Sequence, residues 1–241
     1  EMCIRDRIVY KAYPGDRVVI WGAEEITGTW TQCTPQTQPE FPDPEHTWYI
    51  DVPAAWLRGL KEESYIIMDQ IFEDGERMIY AHWPDQPNIH DPYAAENMYL
   101  VTGGTTIELI DTVHLTQSDD FWNGAVLKIA FRTGIGEAHL YTIVDFDSSL
   151  HTITVDRDLR REPQAGVDRY MIMNHPWALD RPGEFYIDYE ANRIYLITRE
   201  QDDPNKHTIA ISTLGEGFVG RRIKDSHIVI EGFGMKGFWG S

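Results

Sequence analysis

The sequence predicts an all-β protein, on three observations. Helical periodicity is almost absent: its best stretch, residues 53–63, is short and interrupted by Gly59, and is expected to give one or two turns of helix at most. Short runs of β-branched and aromatic residues recur along the whole chain between turn residues, which is the pattern of short strands. Two of the turns carry hairpin chemistry.

Taken in order, the first strands flank the Pro14-Gly15 turn within residues 8–22. Further strands are expected at 48–52, 64–72, 77–81, 98–101, 106–109, 125–131, 139–144, 152–155, 170–173, 184–188, 193–198 and 208–212. Residues 34–44, rich in Pro, Thr and Gln, read as an exposed loop. Asp74-Gly75 supplies the positive φ angles of a tight primed turn, and Ala191-Asn192, between Phe185-Tyr186-Ile187 and Ile194-Tyr195-Leu196, marks a second hairpin. Residues 227–240 hold one alternating strand and then closely spaced glycines, where the backbone has to turn sharply.

Residues 8–23 (IVYKAYPGDRVVIWGA), 71–85 (IFEDGERMIYAHWPD), 182–197 (PGEFYIDYEANRIYLI) and 226–240 (SHIVIEGFGMKGFWG) resemble, in this order, the successive landmarks of bacterial right-handed parallel β-helix proteins. These form the pectin-lyase-like group, which includes many glycoside hydrolases and polysaccharide lyases. The resemblance implies the first coils of a β-helix over 8–23, an inserted all-β domain, a barrel or sandwich, over 24–208, and a return to the β-helix over 209–241. Inside the insertion, residues 119–156 resemble a small β module that recurs in phage tail proteins and forms consecutive hairpins; it places a compact module over 117–173.

Residues 1–7 (EMCIRDR) resemble the in-frame translation of a sequencing-library adapter and are expected to be foreign to the protein. A parallel β-helix buries its core only by stacking several coils, so the chain is expected to be the N-terminal piece of a longer protein. In β-helix carbohydrate enzymes the active residues project from later coils. On the resemblance, the catalytic residues therefore follow Ser241, the present chain alone is inactive, and the protein is secreted, periplasmic or on the cell surface.

A formal charge of −18 argues against nucleic acid and anionic membrane surfaces as partners. No run of about 18 apolar residues occurs, so no membrane span is expected. Of the two cysteines, Cys3 lies in the adapter-like segment and Cys33 is left without a disulfide or metal-site partner.

Motifs that carry chemistry are scarce. Residues 215–220 match a dinucleotide-binding glycine pattern, but a strand rather than a helix is expected after them, so the pattern reads as a glycine-rich corner. The nine histidines show no metal-ligand spacing, and neither a metal ion nor a cofactor is expected. The acidic pairs Asp119/Asp120, Asp145/Asp147 and Asp202/Asp203 sit in turn contexts and read as turn caps. No Gly-x-Ser-x-Gly elbow occurs.

Glycan contact is the remaining candidate chemistry, since an exposed aromatic face stacks on a pyranose ring. Trp30, Trp56, Trp83, Trp122 and Trp177 lie near expected loops or strand ends, with Trp83, Trp122 and Trp177 the leading candidates. Core or turn packing is the commoner role of such a residue and the alternative for each. His82, beside Trp83-Pro84-Asp85, and His175, before Pro176-Trp177, are candidates for the same contact or for pinning their turns. Two readings follow: the N-terminal part of a polysaccharide-degrading enzyme, hydrolase before lyase, or a non-catalytic glycan-binding or structural module like those of surface and phage-tail proteins.

Overall fold

The computed structural model describes residues 8–62, 66–85, 94–132, 138–218 and 228–238. The adapter-like residues 1–7, residues 133–137 of the phage-like module and the stretch 219–226 around the glycine pattern lie outside them.

The protein is all-β, with 40 % strand and 6 % helix. The helix consists of single 3-10 turns, of which Ala54–Trp56 is the short helix expected within 53–63. Two large sheets form the body. In the first, Thr31–Gln32, Trp48–Asp51, Arg193–Leu196 and Glu184–Asp188 are antiparallel neighbours in that order, and Ile79–Tyr80 joins the far edge in parallel. In the second, His82–Trp83, Arg169–Met173, Val126–Ala130, Ala138–Asp147, Thr152–Val155, Glu108–Ile110 and Gly103–Gly104 follow one another antiparallel. Tyr99–Leu100 also pairs with Arg169–Met173.

Side chains alternate between the two faces of a strand, and in the second sheet both faces are buried. Met171 and Met173 point toward the first sheet, in a core with Tyr80, Phe185, Ile194 and Leu196. Tyr170 and Ile172 enter a separate core with Trp122, Leu127, Ile129 and Phe146. Burial on both sides explains why 170–173 reads as an unbroken apolar run. The barrel alternative is not formed, since no described sheet closes on itself; two facing sheets share a core instead.

Most expected strands fall in place, and the departures have physical causes. The span 64–72 is broken, with Ile66–Met68 and Ile71–Glu73 in different sheets. Between them the buried Asp69 accepts the N–H groups of Arg58 and Gly59 and the Tyr189 hydroxyl, which draws the chain out of its ladder. The span 77–81 divides at Met78, because Glu76–Arg77 pairs with Ile71–Glu73 while Ile79–Tyr80 pairs with Glu184–Asp188. Ala138–Asp147 runs longer than expected, and its register shifts between Ile143 and Asp145, leaving Val144 as an exposed extra residue. The Asp74-Gly75 turn has φ of 52° and 79°, as its hairpin requires.

The two ends of the chain meet. Ile8–Lys11 pairs in parallel with Ile228–Glu231, and Val18–Trp21 in parallel with Phe233–Lys236. Lys11 Nζ also lies 2.9 Å from Glu231 Oε1 across 220 residues of sequence. Gly22 admits the Phe238 ring so closely that a Cβ there would overlap it, and Gly232 turns the chain at φ 84°. Just inside this pairing, Ala23–Glu25 and Ile209–Ser212 lie antiparallel in a four-stranded sheet with Ile71–Glu73 and Glu76–Arg77.

Asp168 anchors the second sheet. It is fully buried and accepts hydrogen bonds from Arg132 N at 3.0 Å, Gln164 N at 2.7 Å and Arg161 Nη2 at 2.7 Å. Burial opposes its charge, but these donors outweigh burial and hold the carboxyl below its ordinary range. Asp168→Asn is expected to cost about 2 kcal/mol at neutral pH. Because the folded value is depressed, the contribution is complete above the ordinary Asp value of about 3.9 and is lost as pH falls through the folded one. Urea unfolding at a series of pH values checks both, with the gap between wild type and variant narrowing in acid.

Candidate functional site

The first and second sheets are joined where the chain runs from Ile79–Tyr80 directly into His82–Trp83. At the crossing, Ala81 N donates to Phe185 O at 2.8 Å and Ala81 O accepts Asn174 N at 2.8 Å, so one residue serves both sheets. Asn174, at φ 54°, completes the joint with its side chain. Its Nδ2 donates to Ile187 O at 3.0 Å and its Oδ1 accepts Ile187 N at 2.9 Å, in place of a strand's peptide group.

This joint brings together two loops that are distant in sequence. One follows His82–Trp83 and carries Asp85; the other leads from the 3-10 turn Pro176–Ala178 to Glu184–Asp188 and carries Asp180 and Arg181. His82 Nδ1 lies 3.0 Å from Tyr80 O and 3.3 Å from Glu184 Oε1. Both neighbours are acceptors, so Nδ1 carries the proton. Arg181 Nε reaches Asp85 Oδ2 at 3.3 Å. His82, Asp85 and Glu184 each offer a ligand-type atom, all within 4.8 Å of one another.

Burial dominates the electrostatics. It pushes Glu184 up to about 7, against the His82 hydrogen bond, with the charges of Asp85 and Asp180 adding to the rise. Asp180, at the exposed rim, is raised to about 6 by the partial burial of its carboxyl group and by Asp85, to which it is hydrogen-bonded. Asp85 is raised by burial against the pull of Arg181. Burial works against a charged His82, but Glu184, the Tyr80 carbonyl and Asp85 outweigh it and raise the imidazole. The neighbouring His175 goes the other way, to about 4, because burial meets no carboxylate there. Its Nδ1 accepts the Trp177 N–H at 3.3 Å, which also requires the neutral ring.

All five leading sequence candidates lie in this neighbourhood. Trp83 stacks on Trp122 with ring centroids 5.2 Å apart, and Trp122 meets His175 at 5.0 Å and Trp177 at 5.7 Å. Trp122 is fully buried, with its indole N–H on Gln117 Oε1, and is the post on which the others lean; solvent does not reach it. Trp177 is 37 % exposed and packs edge-on to Phe121 at 5.5 Å, which makes it the face open to a ligand. Trp30 is buried elsewhere against Asn205, and Trp56 packs on the main core.

Asp85, Asp180 and Glu184 were not singled out by sequence. The available signal was a spacing of charged groups three or four residues apart at two of the four motif segments: His82 with Asp85 inside the second, and Asp180, just before the third, with Glu184 inside it. In the acidic pairs, Asp147 accepts Ser149 N and Asp203 caps the 3-10 turn at Asn205 as local turn bonds, whereas Asp119 accepts Ser148 N from a segment 29 residues away.

Neither a protein-family model nor a curated protein matches this chain. Among solved structures, one named "Glycoside hydrolase" is similar over 96 % of this chain and 38 % of its own, with a TM-score of 0.65 and 15 % identity. A complex of XylC with xylose aligns over 97 % of this chain and 26 % of its own, with 15 % identity and a TM-score of 0.39, too loose to define a shared fold. The first likeness is one of fold, and the chain spans well under two thirds of the length of either structure.

Asn174→Ala is expected to cost about 2 to 3 kcal/mol, since it strands both buried backbone groups of Ile187. Denaturant unfolding measures the loss, and amide exchange at Ile187 and Ala81 is expected to rise ahead of exchange elsewhere in the two sheets.

Proposed function

We propose that this chain is the N-terminal part of a polysaccharide-degrading protein, a glycoside hydrolase before a lyase, in which a two-sheet β body is inserted into the first coil of a right-handed parallel β-helix. The observation that carries the reading is the parallel pairing of residues 8–21 with residues 228–236, with the entire β body between them. Entry and exit lie side by side at Ala23 and Ser212, as an insertion into one coil requires. The paired ends also leave Ile8, Tyr10, Ile228, Ile230 and Met235 exposed, apolar faces of the kind that neighbouring coils cover in a stacked solenoid. The likeness in fold to a structure named "Glycoside hydrolase", of which the chain covers 38 %, supports the reading of the chain as part of a longer carbohydrate-active protein.

In this reading the catalytic carboxylates belong to coils outside the 241 residues. The joint cluster is a poor candidate for glycosidic chemistry: His82 and Glu184 are almost wholly buried, and Asp85 and Asp180 touch each other. Glycosidase carboxylates stand about 5 to 10 Å apart, on either side of the scissile bond. The β body contributes a wall to the substrate groove, with Trp177 as a sugar platform, and the protein works outside the cytoplasm.

The reading is tested by incubating a panel of plant and bacterial polysaccharides with the protein from the uninterrupted reading frame and with residues 8–241. Release of reducing ends by the former alone is expected; absorbance from unsaturated products would mark a lyase, and activity of residues 8–241 would overturn the placement of the site. A separate binding measurement checks the platform. Trp177→Ala is expected to weaken glycan affinity about 5- to 10-fold without lowering stability by more than about 1 kcal/mol, because the ring is partly exposed.

A further inference from the structure

Buried carboxylates elsewhere in this protein are well supplied with donors. Asp69 takes two backbone N–H groups and a tyrosine hydroxyl, Asp168 takes two backbone N–H groups and an arginine, and Glu73 takes the N–H and guanidinium of Arg199. Among the described residues, only two buried side-chain oxygens lack a hydrogen-bond partner, Glu184 Oε2 and Asp85 Oδ1. Both belong to the cluster at the joint of the two sheets. The Glu184 side chain is 4 % exposed, so water from bulk does not make up the deficit. Unpaired buried oxygens of this kind call for an ion, an internal water or a role.

We propose that His82, Asp85 and Glu184 form the binding site of one divalent transition-metal cation of the zinc class. The donor set is one imidazole nitrogen and two carboxylate oxygens, a mixture that suits zinc and its neighbours better than calcium or magnesium, which favour oxygen alone. The size fits as well. Bonds of about 2.0 to 2.1 Å in a tetrahedral site separate ligand atoms by about 3.3 Å, and the ligand-type atoms of His82, Asp85 and Glu184 already lie within 4.8 Å of one another. Small side-chain rotations close the remainder.

The surroundings complete the arrangement. Arg181 already holds Asp85 Oδ2 and leaves Oδ1 as the oxygen offered to the ion. The Tyr80 carbonyl orients the His82 ring, in the manner of the outer partners that fix metal-bound histidines. The ion would tie the first residue of a strand in the second sheet, the loop after that strand and the first residue of a strand in the first sheet, and so lock the two sheets together. This role is independent of the glycan reading, because it requires neither an active enzyme nor a sugar.

The test uses the 241-residue chain without an affinity tag, stripped with a chelator and titrated with zinc chloride by calorimetry and thermal unfolding. One equivalent is expected to bind, and zinc at about 100 times its dissociation constant is expected to raise the melting temperature by about 5 to 10 °C. Asp85→Asn and Glu184→Gln should each weaken binding at least tenfold, whereas His207→Asn, at a separate histidine between Asp74 and Asp202, should leave it unchanged. If Glu184→Gln does not fold, Asp85→Asn decides, together with the visible spectrum of the cobalt-loaded wild type, which reports the coordination of the site. Absence of binding, or equal binding by wild type and Asp85→Asn, would overturn the proposal.

Discussion

The body of this protein depends on one backbone constraint: where a strand leaves one sheet for another, every peptide group at the crossing still needs a partner. Ala81 meets it by donating to Phe185 in the first sheet and accepting from Asn174 in the second. Asn174 has left its own ladder at this point, and its carboxamide replaces a peptide group against Ile187. The positive φ of Asn174 is what allows the chain to turn from Arg169–Met173 into the 3-10 turn at Pro176 while its side chain faces back. Both large sheets and both main cores meet at this place.

The same crossing explains the electrostatics. It presses His82 and Glu184 into the interior and brings Asp85, Asp180 and Arg181 against them. A chain of net charge −18 has carboxylates to spare, and most buried ones are placed where backbone N–H groups point. At the joint the backbone groups are already committed to holding the sheets together. The carboxylates there are left to one imidazole, one guanidinium and each other, and their affinity for protons rises accordingly. A strained set of charges beside a partly exposed tryptophan is the part of the molecule where packing alone does not account for the residues present.

The paired ends impose a different condition. Two parallel strand pairs have little interior of their own, and their apolar side chains are exposed where the β body's are buried. Stability therefore resides in the body, whose second sheet is covered on both faces, while the ends are organised by glycines that let Phe238 and Ala12 approach the backbone.

Local chemistry was legible in the sequence. The strands 152–155 and 184–188, the positive-φ pair Asp74-Gly75 and the helical turn near Trp56 are set by neighbouring residues, through turn geometry and the two-residue alternation of a strand. The meeting of the ends was expected from the family resemblance rather than from local chemistry. What sequence could not supply was the partner of each strand: nothing local says that 77–81 changes sheets at Met78, or that Asp69 pulls its segment out of register. The candidate site was half legible for the same reason. Trp83, Trp122, Trp177, His82 and His175 could be marked by residue type and context, but whether a ring is the buried post or the open face depends on what packs over it. Asp85, Asp180 and Glu184 looked like ordinary surface acids, because a carboxylate's character is conferred by the groups folded around it. Propensity and turn chemistry act over a few residues and are written in order along the chain; burial, charge and hydrogen-bond supply arise between residues 82–85 and 180–184 only once tertiary structure has brought them together.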